Sequence, residues 1–455
     1  MLDFNDLCQA ISGEVLVKDR NFDDYTTYES DTRKDLTGAV FFAFDGDNFD
    51  GHNYLDLAVE KGSRLLIVSK EVELLAQDSV AMIKVQDTVK AWQQLGHYLL
   101  MKQRKAKRFA VTGSSGKTST NAVLSQLLES IFPKKVLSTL GNTNNHIGVT
   151  QNIVRLKGEE ECFSLELGTN HPGEIGDLAK IVKAHGAILT SVGASHIGNF
   201  TDEEAIFEEK IDIFRYMEEE GVAVVPEIFS EKVKKALSDR QDIRVISFGK
   251  SEKADVRLLN YELLMGKSLF TVELHSGEQL ELETNLSGEH QLLNICACLA
   301  LLELFQKQWS FKIEDLVPVI RNLDLPGMRM KTEQVGDKTF VLDCYNANPQ
   351  STAAFLKWVK ELYSSGTLVL GDMLELGDKA MSYHQAIFNQ AKAMKGFDLL
   401  TVGECFSKVN SEGKAFLNSD EAGEYLKANI KADETLFFKA SRGIQLEKIY
   451  HKFRD

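Results

Sequence analysis

The chain has 455 residues, of which 43% are hydrophobic and 26% charged, and its formal net charge at pH 7 is −15. This length suffices for about three domains of ordinary size, and the composition is typical of a soluble globular protein. The acidic balance, with no basic stripe interleaved with aromatic residues, argues against a nucleic-acid binder. The chain begins without a basic segment followed by an apolar run, and its most apolar stretch, 295–305, is too short for a bilayer, so we expect neither export nor membrane insertion.

The six cysteines are scattered along the chain, at Cys8, Cys162, Cys296, Cys298, Cys344 and Cys405. None forms a C-x-x-C pair, so reduced thiols are a better interpretation than a disulfide framework or a metal site. We therefore expect a cytoplasmic protein.

Residues 1–85 are predicted to form a small mixed α/β domain. Two apolar runs, 39–44 and 65–68, are candidate buried strands. A turn-rich polar loop, 45–52, lies between them, and Ser30-Asp31-Thr32-Arg33 precedes the first run. Short polar side chains beside an arginine suit a diphosphate or sugar hydroxyls, although either segment taken alone is more often an ordinary surface loop.

The stretch Thr112-Gly113-Ser114-Ser115-Gly116-Lys117-Thr118 follows the apolar run 109–111 and opens a helical pattern. Strand, glycine-rich turn and helix is the arrangement that holds a phosphate chain, because backbone N–H groups and the helix N-terminus point at the anion. Lys117 can reach the outer phosphate oxygens, and the Thr118 hydroxyl can ligand Mg²⁺. The general pattern has glycine where Val111 stands, and a glycine-serine turn with a chance lysine is the alternative. The position between strand and helix favours nucleotide binding.

Residues 86–326 alternate apolar runs with helical patterns, starting with an amphipathic helix at 87–103. The further runs are 135–138, 162–167, 187–192, 221–225 and 245–248, and the helical patterns are 174–183, 203–219 and 229–238. This alternation predicts right-handed crossovers and a mostly parallel sheet. Residues 253–284 alternate apolar and polar side chains as an antiparallel section would, and a helix is predicted from Glu289 to about Gln306.

Beyond Pro326-Gly327, which we interpret as a hinge, residues 327–455 form another alternating unit without a phosphate loop of its own. Its predicted strands are 340–344, 367–370, 399–402 and 436–440, and its predicted helices are 350–363, 379–394, 419–428 and 443–452. We therefore predict an α/β protein of three domains: a small mixed α/β N-terminal domain, a central mostly parallel P-loop ATPase domain and a Rossmann-like C-terminal domain.

Several polar residues are predicted at the sheet edge that carries the phosphate loop. Glu166 ends the run 162–167 and His196 follows the run 187–192, and the carboxyl ends of parallel strands meet at one edge. A carboxylate and an imidazole beside a triphosphate suit a divalent cation, with Mg²⁺ favoured by oxygen ligands; a capping glutamate and a loop histidine are the alternative. The amide-rich loop 141–148 should face the same crevice. The residues alone thus predict a Mg-nucleotide enzyme but not its substrate.

Together these motifs resemble the Mur ligase family over nearly the whole chain, from Ser30 to Gly443. In that family the phosphate loop does not require glycine at position 111. The loops 345–349, 371–377 and 441–443 are similar to the branch that joins D-alanyl-D-alanine to UDP-N-acetylmuramoyl-tripeptide. The sister branch, which adds a single (di)amino acid to UDP-N-acetylmuramoyl-dipeptide, usually carries a D-N-P-R motif that is not found here. That branch and a non-catalytic nucleotide-binding homologue remain the alternatives.

The resemblance implies roles for single residues. ATP and one Mg²⁺ would be held by Gly113, Ser114, Ser115, Gly116, Lys117 and Thr118, and a second Mg²⁺ by Glu166 and His196. Lys210 matches a lysine that the family carbamylates; with Lys117 and His196 it would be catalytic, and as a carbamate it could ligand the metal. Asn294 would read the adenine, and Arg329 and Asp343 would close on the nucleotide. Substrate contacts would come from Ser30, Thr32, Arg33, Asp50, His52, Asn144, Asn145, His146, Asn346 and Asn348.

The implied reaction is ATP-dependent amide-bond formation through an acyl phosphate, in cytoplasmic peptidoglycan-precursor synthesis. Residues 1–85 would bind the UDP-sugar, residues 86–326 would bind ATP, and residues 327–455 would close on ATP and bind the dipeptide. We expect the chain to act as a monomer. The chain departs from the family pattern after His196, where the family commonly has an acidic residue two positions on and a Gly-Phe-Gly run.

Overall fold

The computed structural model describes residues 2–18, 24–46, 49–72, 80–194, 197–411 and 413–454. Three α/β units follow one another along the chain, each built around a sheet of its own. The predicted three-domain α/β architecture is therefore confirmed. Among the described residues, no helix combines the length and the apolar character that a crossing of the membrane requires.

The first unit has a five-stranded sheet. Its elements are α1 (Phe4–Ile11), β1 (Glu14–Val17), β2 (Tyr28–Glu29), β3 (Val40–Phe42), β4 (Asp45–Gly46), β5 (Phe49–Asp50), α2 (Leu55–Glu60), β6 (Leu65–Val68) and β7 (Ala81–Lys84). The strand order is β1-β7-β6-β3-β2, parallel except for the β1–β7 pair, and β4 and β5 form a separate hairpin. The interior strand β6 reads Leu-Leu-Ile-Val and is buried throughout, as a parallel strand covered on both faces should be.

The central unit has a nine-stranded sheet. Its first elements are α3 (Thr88–Lys102), β8 (Lys107–Thr112), α4 (Lys117–Ile131), β9 (Val136–Ser138), α5 (Gly148–Ile153), β10 (Cys162–Glu166), α6 (Glu174–Val182), β11 (Gly186–Leu189) and α7 (Glu203–Arg215). They are followed by β12 (Val222–Pro226), α8 (Ser230–Ala236), β13 (Arg244–Gly249), β14 (Val256–Leu264), β15 (Lys267–Glu273), β16 (Gln279–Thr284), α9 (Glu289–Leu302), α10 (Gln306–Trp309) and α11 (Val317–Arg321).

The order of these strands places the phosphate loop at a switch point of the sheet. The order is β16-β15-β14-β13-β12-β11-β8-β10-β9, parallel from β9 to β14 and antiparallel beyond. The chain adds β9 and β10 on one side of β8 and then β11 to β13 on the other. Such a reversal opens a crevice at the carboxyl end of the strand beside it, and this is where ligands bind in open α/β sheets.

The third unit has a six-stranded sheet. Its elements are β17 (Lys331–Val335), β18 (Lys338–Asp343), α12 (Pro349–Leu362), β19 (Gly366–Gly371), α13 (Ala380–Lys392), β20 (Phe397–Val402), α14 (Glu404–Val409), β21 (Lys414–Phe416), α15 (Ser419–Asn429), β22 (Thr435–Lys439) and α16 (Glu447–Arg454). The order is β17-β18-β22-β19-β20-β21, and all neighbours are parallel except β17 and β18.

Among the differences from the sequence-based expectation, two in the third unit have a clear physical reason. The strand β17 was not predicted, because its residues Lys-Thr-Glu-Gln-Val are largely polar and lie at an exposed sheet edge. The last helix begins at Glu447 rather than at residue 443. A short 3₁₀ turn, Arg442–Ile444, comes first, and Gln445 then takes a left-handed conformation with φ +56°, which ends that turn before the helix starts.

The first and central units share one apolar core. Trp92 on α3 is 1% exposed and meets Phe42 edge-on, with 4.9 Å between the ring centroids. Its indole N–H donates to the Ile147 carbonyl at 3.0 Å, so the polar atom of this buried ring is satisfied. α3 therefore fixes the first unit against the loop that leads into α5.

The central and third units contact each other beside the start of α9. Lys357 Nζ lies 2.7 Å from Glu289 Oε2, and the Trp358 indole N–H donates to Ser287 Oγ at 2.7 Å. Phe200 of the central unit joins the apolar core of the third unit. These contacts hold the third sheet with its carboxyl edge towards the phosphate loop.

Candidate active site

The phosphate loop runs from the end of β8 to the start of α4. Gly113 has φ +152°, and a Cβ there would lie 1.9 Å from Thr190 Oγ1. Gly116 has φ +85° at the position that precedes α4. Both positions therefore require glycine. Val111 instead pairs with Glu166 and Ile188 inside the sheet and is fully buried. The residue that departs from the general pattern belongs to the strand, and the turn proper begins two residues later.

Lys117 occupies the mouth of this loop. Its Nζ donates to the Gly113 carbonyl at 2.8 Å, across the space that a phosphate would fill. Burial lowers the pKa of Lys117, and Arg329 lowers it further, whereas the charge of Glu166 raises it. The Lys117 ammonium thus has one carbonyl as its hydrogen-bond acceptor, and an entering anion would offer it a stronger partner.

Glu166 presents a carboxylate oxygen that has no protein partner. The residue is 1% exposed at the end of β10, and its Oε1 accepts from Asn144 Nδ2 at 2.7 Å. Within the described part of the chain, no group donates to its Oε2, which is also buried. A buried, unsatisfied carboxylate oxygen is costly unless a cation completes it. Together with the Thr118 hydroxyl on the same cavity wall, this donor set fits a magnesium ion.

Lys210 lies inside α7 and is 2% exposed. Burial, together with the charge of Lys117, lowers its pKa to about 7, while Glu209 acts in the opposite direction. Among the residues that the structure describes, none is recorded as accepting a hydrogen bond from its Nζ. A lysine in this setting has a neutral, nucleophilic fraction near pH 7, the form that carbamylation needs. His196 lies outside the described residues.

The third unit supplies the opposite wall. The Arg329 guanidinium stacks over the Tyr345 ring, 3.9 Å from its centroid, and donates to the Pro326 carbonyl. Asn348 caps α12 by accepting from the Ser351 N–H, and its Nδ2 donates to Ser115 Oγ of the phosphate loop at 2.8 Å. This last hydrogen bond directly joins the two halves of the site.

A cavity of about 770 Å³ lies between these walls. Of the predicted site residues, it is lined by Ser114, Ser115, Gly116, Lys117, Thr118, Asn144, Asn145, Glu166, Asn294, Arg329, Asp343, Asn346 and Asn348. Its polar lining converges on the phosphate loop, while Ile228 on the loop after β12 is 77% exposed on a neighbouring wall. Such a volume is of the size that encloses a nucleotide-sized ligand. The structure therefore brings together residues that are more than 200 positions apart in the chain.

The predicted substrate residues of the first unit lie away from this cavity. Arg33 pairs with Asp31 on the surface, and Lys61 Nζ donates to the Thr32 carbonyl at 2.6 Å.

The second predicted substrate segment of the first unit is the loop around Asp50 and His52. The hydrogen bond from Lys70 holds the pKa of Asp50 at about 2. His52 is buried, with Nδ1 on Asp50 and Nε2 accepting from the Ser69 N–H, so its ring shapes the loop from within. Ser30 is partly buried and directly precedes Asp31 in the chain. Their part in substrate binding stays a prediction.

Two further predicted residues are adjacent to the cavity without lining it. His146 is exposed, and its carbonyl accepts from Gln93 Nε2 at 3.2 Å. Gly113 belongs to the phosphate loop, where its carbonyl accepts a hydrogen bond from Lys117 Nζ. The neighbouring Asn145 does line the cavity and also accepts from the Gly148 N–H at the start of α5.

Comparisons with known proteins account for this arrangement. Residues 111–302 match the Mur ligase middle domain, and residues 328–442 match the Mur ligase glutamate ligase domain. The chain belongs to the Mur ligase family. Its resemblance to that family, read from the motifs, is confirmed.

Proteins whose sequences are similar to that of this Mur ligase are named UDP-N-acetylmuramoyl-tripeptide–D-alanyl-D-alanine ligase. The protein of Rickettsia prowazekii is 29% identical over 90% of this chain and 91% of its own, and that of Escherichia coli is 27% identical over 99% and 97%. Among solved structures, MurF from Acinetobacter baumannii is 28% identical with a TM-score of 0.89, covering 99% of this chain and 98% of its own. MurF ligase from Thermotoga maritima in complex with ADP is 25% identical with a TM-score of 0.81, over 94% and 97%.

Lys439 is one of the cavity residues of this Mur ligase that the sequence analysis missed. Lys439 is 4% exposed at the end of β22, where its Nζ lies 2.9 Å from Asp343 Oδ2 and donates to the Asn346 carbonyl at 2.7 Å. In the sequence, the only indication of this role is a lysine at the end of the largely apolar run 435–438. That lysine reaches the cavity because β22 lies next to β18, with Lys439 opposite Asp343.

Proposed function

We propose that this Mur ligase uses ATP to join D-alanyl-D-alanine to UDP-N-acetylmuramoyl-tripeptide, a step of cytoplasmic peptidoglycan-precursor synthesis. The observation that carries the proposal is the cavity between the phosphate loop and the carboxyl edge of the third sheet, in a chain that matches ligases of this name over nearly its full length. We further propose that residues 1–85 bind the uridine nucleotide, residues 86–326 bind ATP and residues 327–455 close on ATP and bind the dipeptide.

A carboxylate is a poor electrophile, so the reaction begins by activating it. The γ-phosphoryl group of ATP passes to the terminal carboxylate of the tripeptide and forms an acyl phosphate. Lys117 is placed to leave the Gly113 carbonyl and bind the phosphate oxygens, where its charge reduces the repulsion between two approaching anions. Asn294 lies against the loop beside Gly116 and is proposed to contact the adenine.

The amine of D-alanyl-D-alanine then attacks the acyl phosphate, and phosphate leaves through a tetrahedral intermediate. Arg329, Asp343, Asn346 and Asn348 reach the site from the third unit, so closure of that unit aligns the reactants and excludes water that would hydrolyse the intermediate. Mg²⁺, when bound, would neutralise phosphate charge, held by Thr118, Glu166, His196 and Lys210 as the carbamate. The orphaned oxygen of Glu166 supports this assignment.

The test is an assay of ATP-dependent phosphate release with paired substrates. Turnover is expected with UDP-N-acetylmuramoyl-tripeptide plus D-alanyl-D-alanine, and not with the dipeptide precursor plus a diamino acid, the pair of the sister ligase. Lys117→Met should abolish the activity of the first pair. Turnover with the second pair alone would assign the chain to the sister branch, and no turnover with either pair would leave a nucleotide-binding homologue.

A further inference from the structure

Arg442 is a cation on the cavity wall to which no step above gives a role. It follows β22 in the 3₁₀ turn that precedes α16, and its side chain is 61% exposed. Its Nη1 lies 2.6 Å from Glu447 Oε1, and Glu447 is mostly buried. A guanidinium has five N–H donors on a rigid plane, so this single ion pair fixes the arginine and leaves its other edge open to a second anion.

The other described cations of the cavity are already held. Lys117 belongs to the phosphate loop, Lys439 is buried against Asp343, and Lys250 pairs with Glu289 at 3.0 Å. Arg329 stacks on the Tyr345 ring, donates to the Pro326 carbonyl and is already proposed to close on ATP. Among the described lysines and arginines that line the cavity, Arg442 therefore has the guanidinium edge best placed for a new carboxylate.

An exposed apolar side chain lies next to Arg442. Leu374, on the loop after β19, is 45% exposed, and its Cδ1 would lie 2.8 Å from a Cβ at Gly443. Ser441 fixes this neighbourhood, because its Oγ accepts from the Leu374 N–H at 3.0 Å and donates to the Ala347 carbonyl. The loops after three adjacent strands thus hold an arginine and a leucine side by side on a rigid wall.

We infer that Arg442 and Leu374 form the subsite for the terminal carboxylate and the adjoining methyl group of the incoming dipeptide. The inference rests on the proposed function. The amine of the dipeptide must reach the acyl phosphate near Lys117, so its carboxylate points to another wall. There it needs a cation, because an unpaired carboxylate in a closed cavity would weaken binding. Because Glu447 already orders the guanidinium, less side-chain entropy is lost when the carboxylate binds.

The experiment compares D-alanyl-D-alanine with its C-terminal amide, which keeps both methyl groups and the amine but has no charge. In the wild-type chain the amide should show a KM at least about tenfold higher, since a charged hydrogen-bonded pair is lost. Arg442→Gln should raise the KM for the dipeptide by at least about tenfold and abolish the difference between dipeptide and amide. The KM values for ATP and for the tripeptide substrate should stay within about twofold.

Two variants make the result decisive. Lys452→Gln removes an ion-paired cation from α16 of the same unit, outside the residues that line the cavity, and should leave every KM unchanged. Arg442→Lys keeps the positive charge but lacks the planar pair of N–H donors that binds both carboxylate oxygens, so it should give an intermediate KM for the dipeptide. Comparing wild-type dipeptide and amide needs no mutant, so a folding defect in Arg442→Gln cannot hide the answer.

Equal KM values for dipeptide and amide in the wild type would overturn the subsite, and so would an Arg442→Gln effect confined to ATP or to the tripeptide. Both results would leave the proposed function intact, because ligation would still be observed. Absence of wild-type turnover with both peptide partners would instead overturn the proposed function, and this subsite with it.

Discussion

Lys439 is a buried cation of the third unit. It joins Asp343 to the Asn346 backbone, so one side chain sets the position of two residues on the cavity wall. Removing one partner of a buried ion pair leaves the other charge uncompensated. That penalty exceeds the net contribution of the intact pair.

Lys439→Met should lower the free energy of unfolding by up to about 3 kcal/mol, because the Asp343 carboxylate, only 15% exposed, would lose its partner. The double variant Lys439→Met with Asp343→Asn should recover much of that loss, since no lone charge remains. Urea unfolding followed by circular dichroism measures both. Equal stability of the single variant and the wild type would contradict the structural role given to this pair.

His185 makes the stability of the central unit depend on pH. Its Nδ1 accepts from the Arg108 N–H at 3.1 Å, a bond that requires an unprotonated nitrogen. Burial, reinforced by the charges of Arg108 and Lys107, lowers the pKa of His185 from 6.5 to about 3. Between these values the unfolded chain binds a proton that the folded chain does not. The contribution is therefore present above pH 6.5 and is lost as the pH falls towards 3.

In His185→Gln the amide oxygen can still accept from Arg108, but nothing titrates. The slope of unfolding free energy against pH between 4 and 6 should fall relative to the wild type, by at most about 1.4 kcal/mol per pH unit. His146→Gln, at an exposed histidine of the same unit whose ring is not ion-paired in the described structure, is the matched control and should keep the wild-type slope. An unchanged slope in His185→Gln would show that this imidazole is not the source.

At the scale of elements, the phosphate loop combines strand β8, a glycine-rich turn and helix α4. Gly113→Ala should weaken ATP binding by at least about tenfold, because its Cβ would displace Thr190 from under the loop. Gly277→Ala is the matched control. That glycine also has positive φ, +86°, but nothing lies within 4 Å of its Cβ position. Isothermal titration with ATP should show the loss in the first variant alone, and equal losses would point to general destabilisation.

The elements on either side of the phosphate loop were predictable because each has a signal within its own sequence. β8 and α4 carry their own signals, an apolar run and a glycine-rich helix start, within ten residues of each other. The strand β17 carries no such signal, because its polar residues become a strand only by pairing with β18. The left-handed Gln445 that delays α16 likewise depends on the turn around it and not on its own residue type.

The site was predictable only in part, and the missing part depends on strand order. Glu166 was predicted because parallel strands end at one edge, and β10 does lie beside β8. The pair of Asp343 and Lys439 requires β22 to insert between β18 and β19. The two residues are 96 positions apart in the chain, so their meeting is a property of the assembled sheet. The same is true of Ser115 and Asn348.

At the scale of the whole molecule, the contact between Lys357 and Glu289 holds the third unit against the central one. Glu289 begins the helix α9, whose next turn carries Asn294 to the phosphate loop. Burial would raise the pKa of Glu289, but the hydrogen bonds from Lys357, Tyr261 and Lys250 outweigh it and lower the pKa to about 2. The carboxylate is therefore ionised at any pH at which the enzyme would work, and the contact persists.

Lys357→Gln should favour the open arrangement of the two units. Lys357 is half-exposed, so the expected rise in the KM for ATP is modest, about two- to fivefold. Small-angle scattering should show a larger radius of gyration. Lys360→Gln, one turn further along α12, removes an exposed lysine that is not ion-paired to Glu289 in the described structure, and it should change neither quantity. An unchanged radius in Lys357→Gln would assign closure to the apolar contacts instead.

The hydrogen bond between Ser115 and Asn348 has a consequence for inhibitor discovery. Any compound that replaced it by bonding to both side chains would clamp the enzyme shut, with half of its binding surface on each unit. Its affinity would then vanish in screens against either unit in isolation. Fragments should accordingly be tested on the intact chain, where both hydroxyl and amide are presented together.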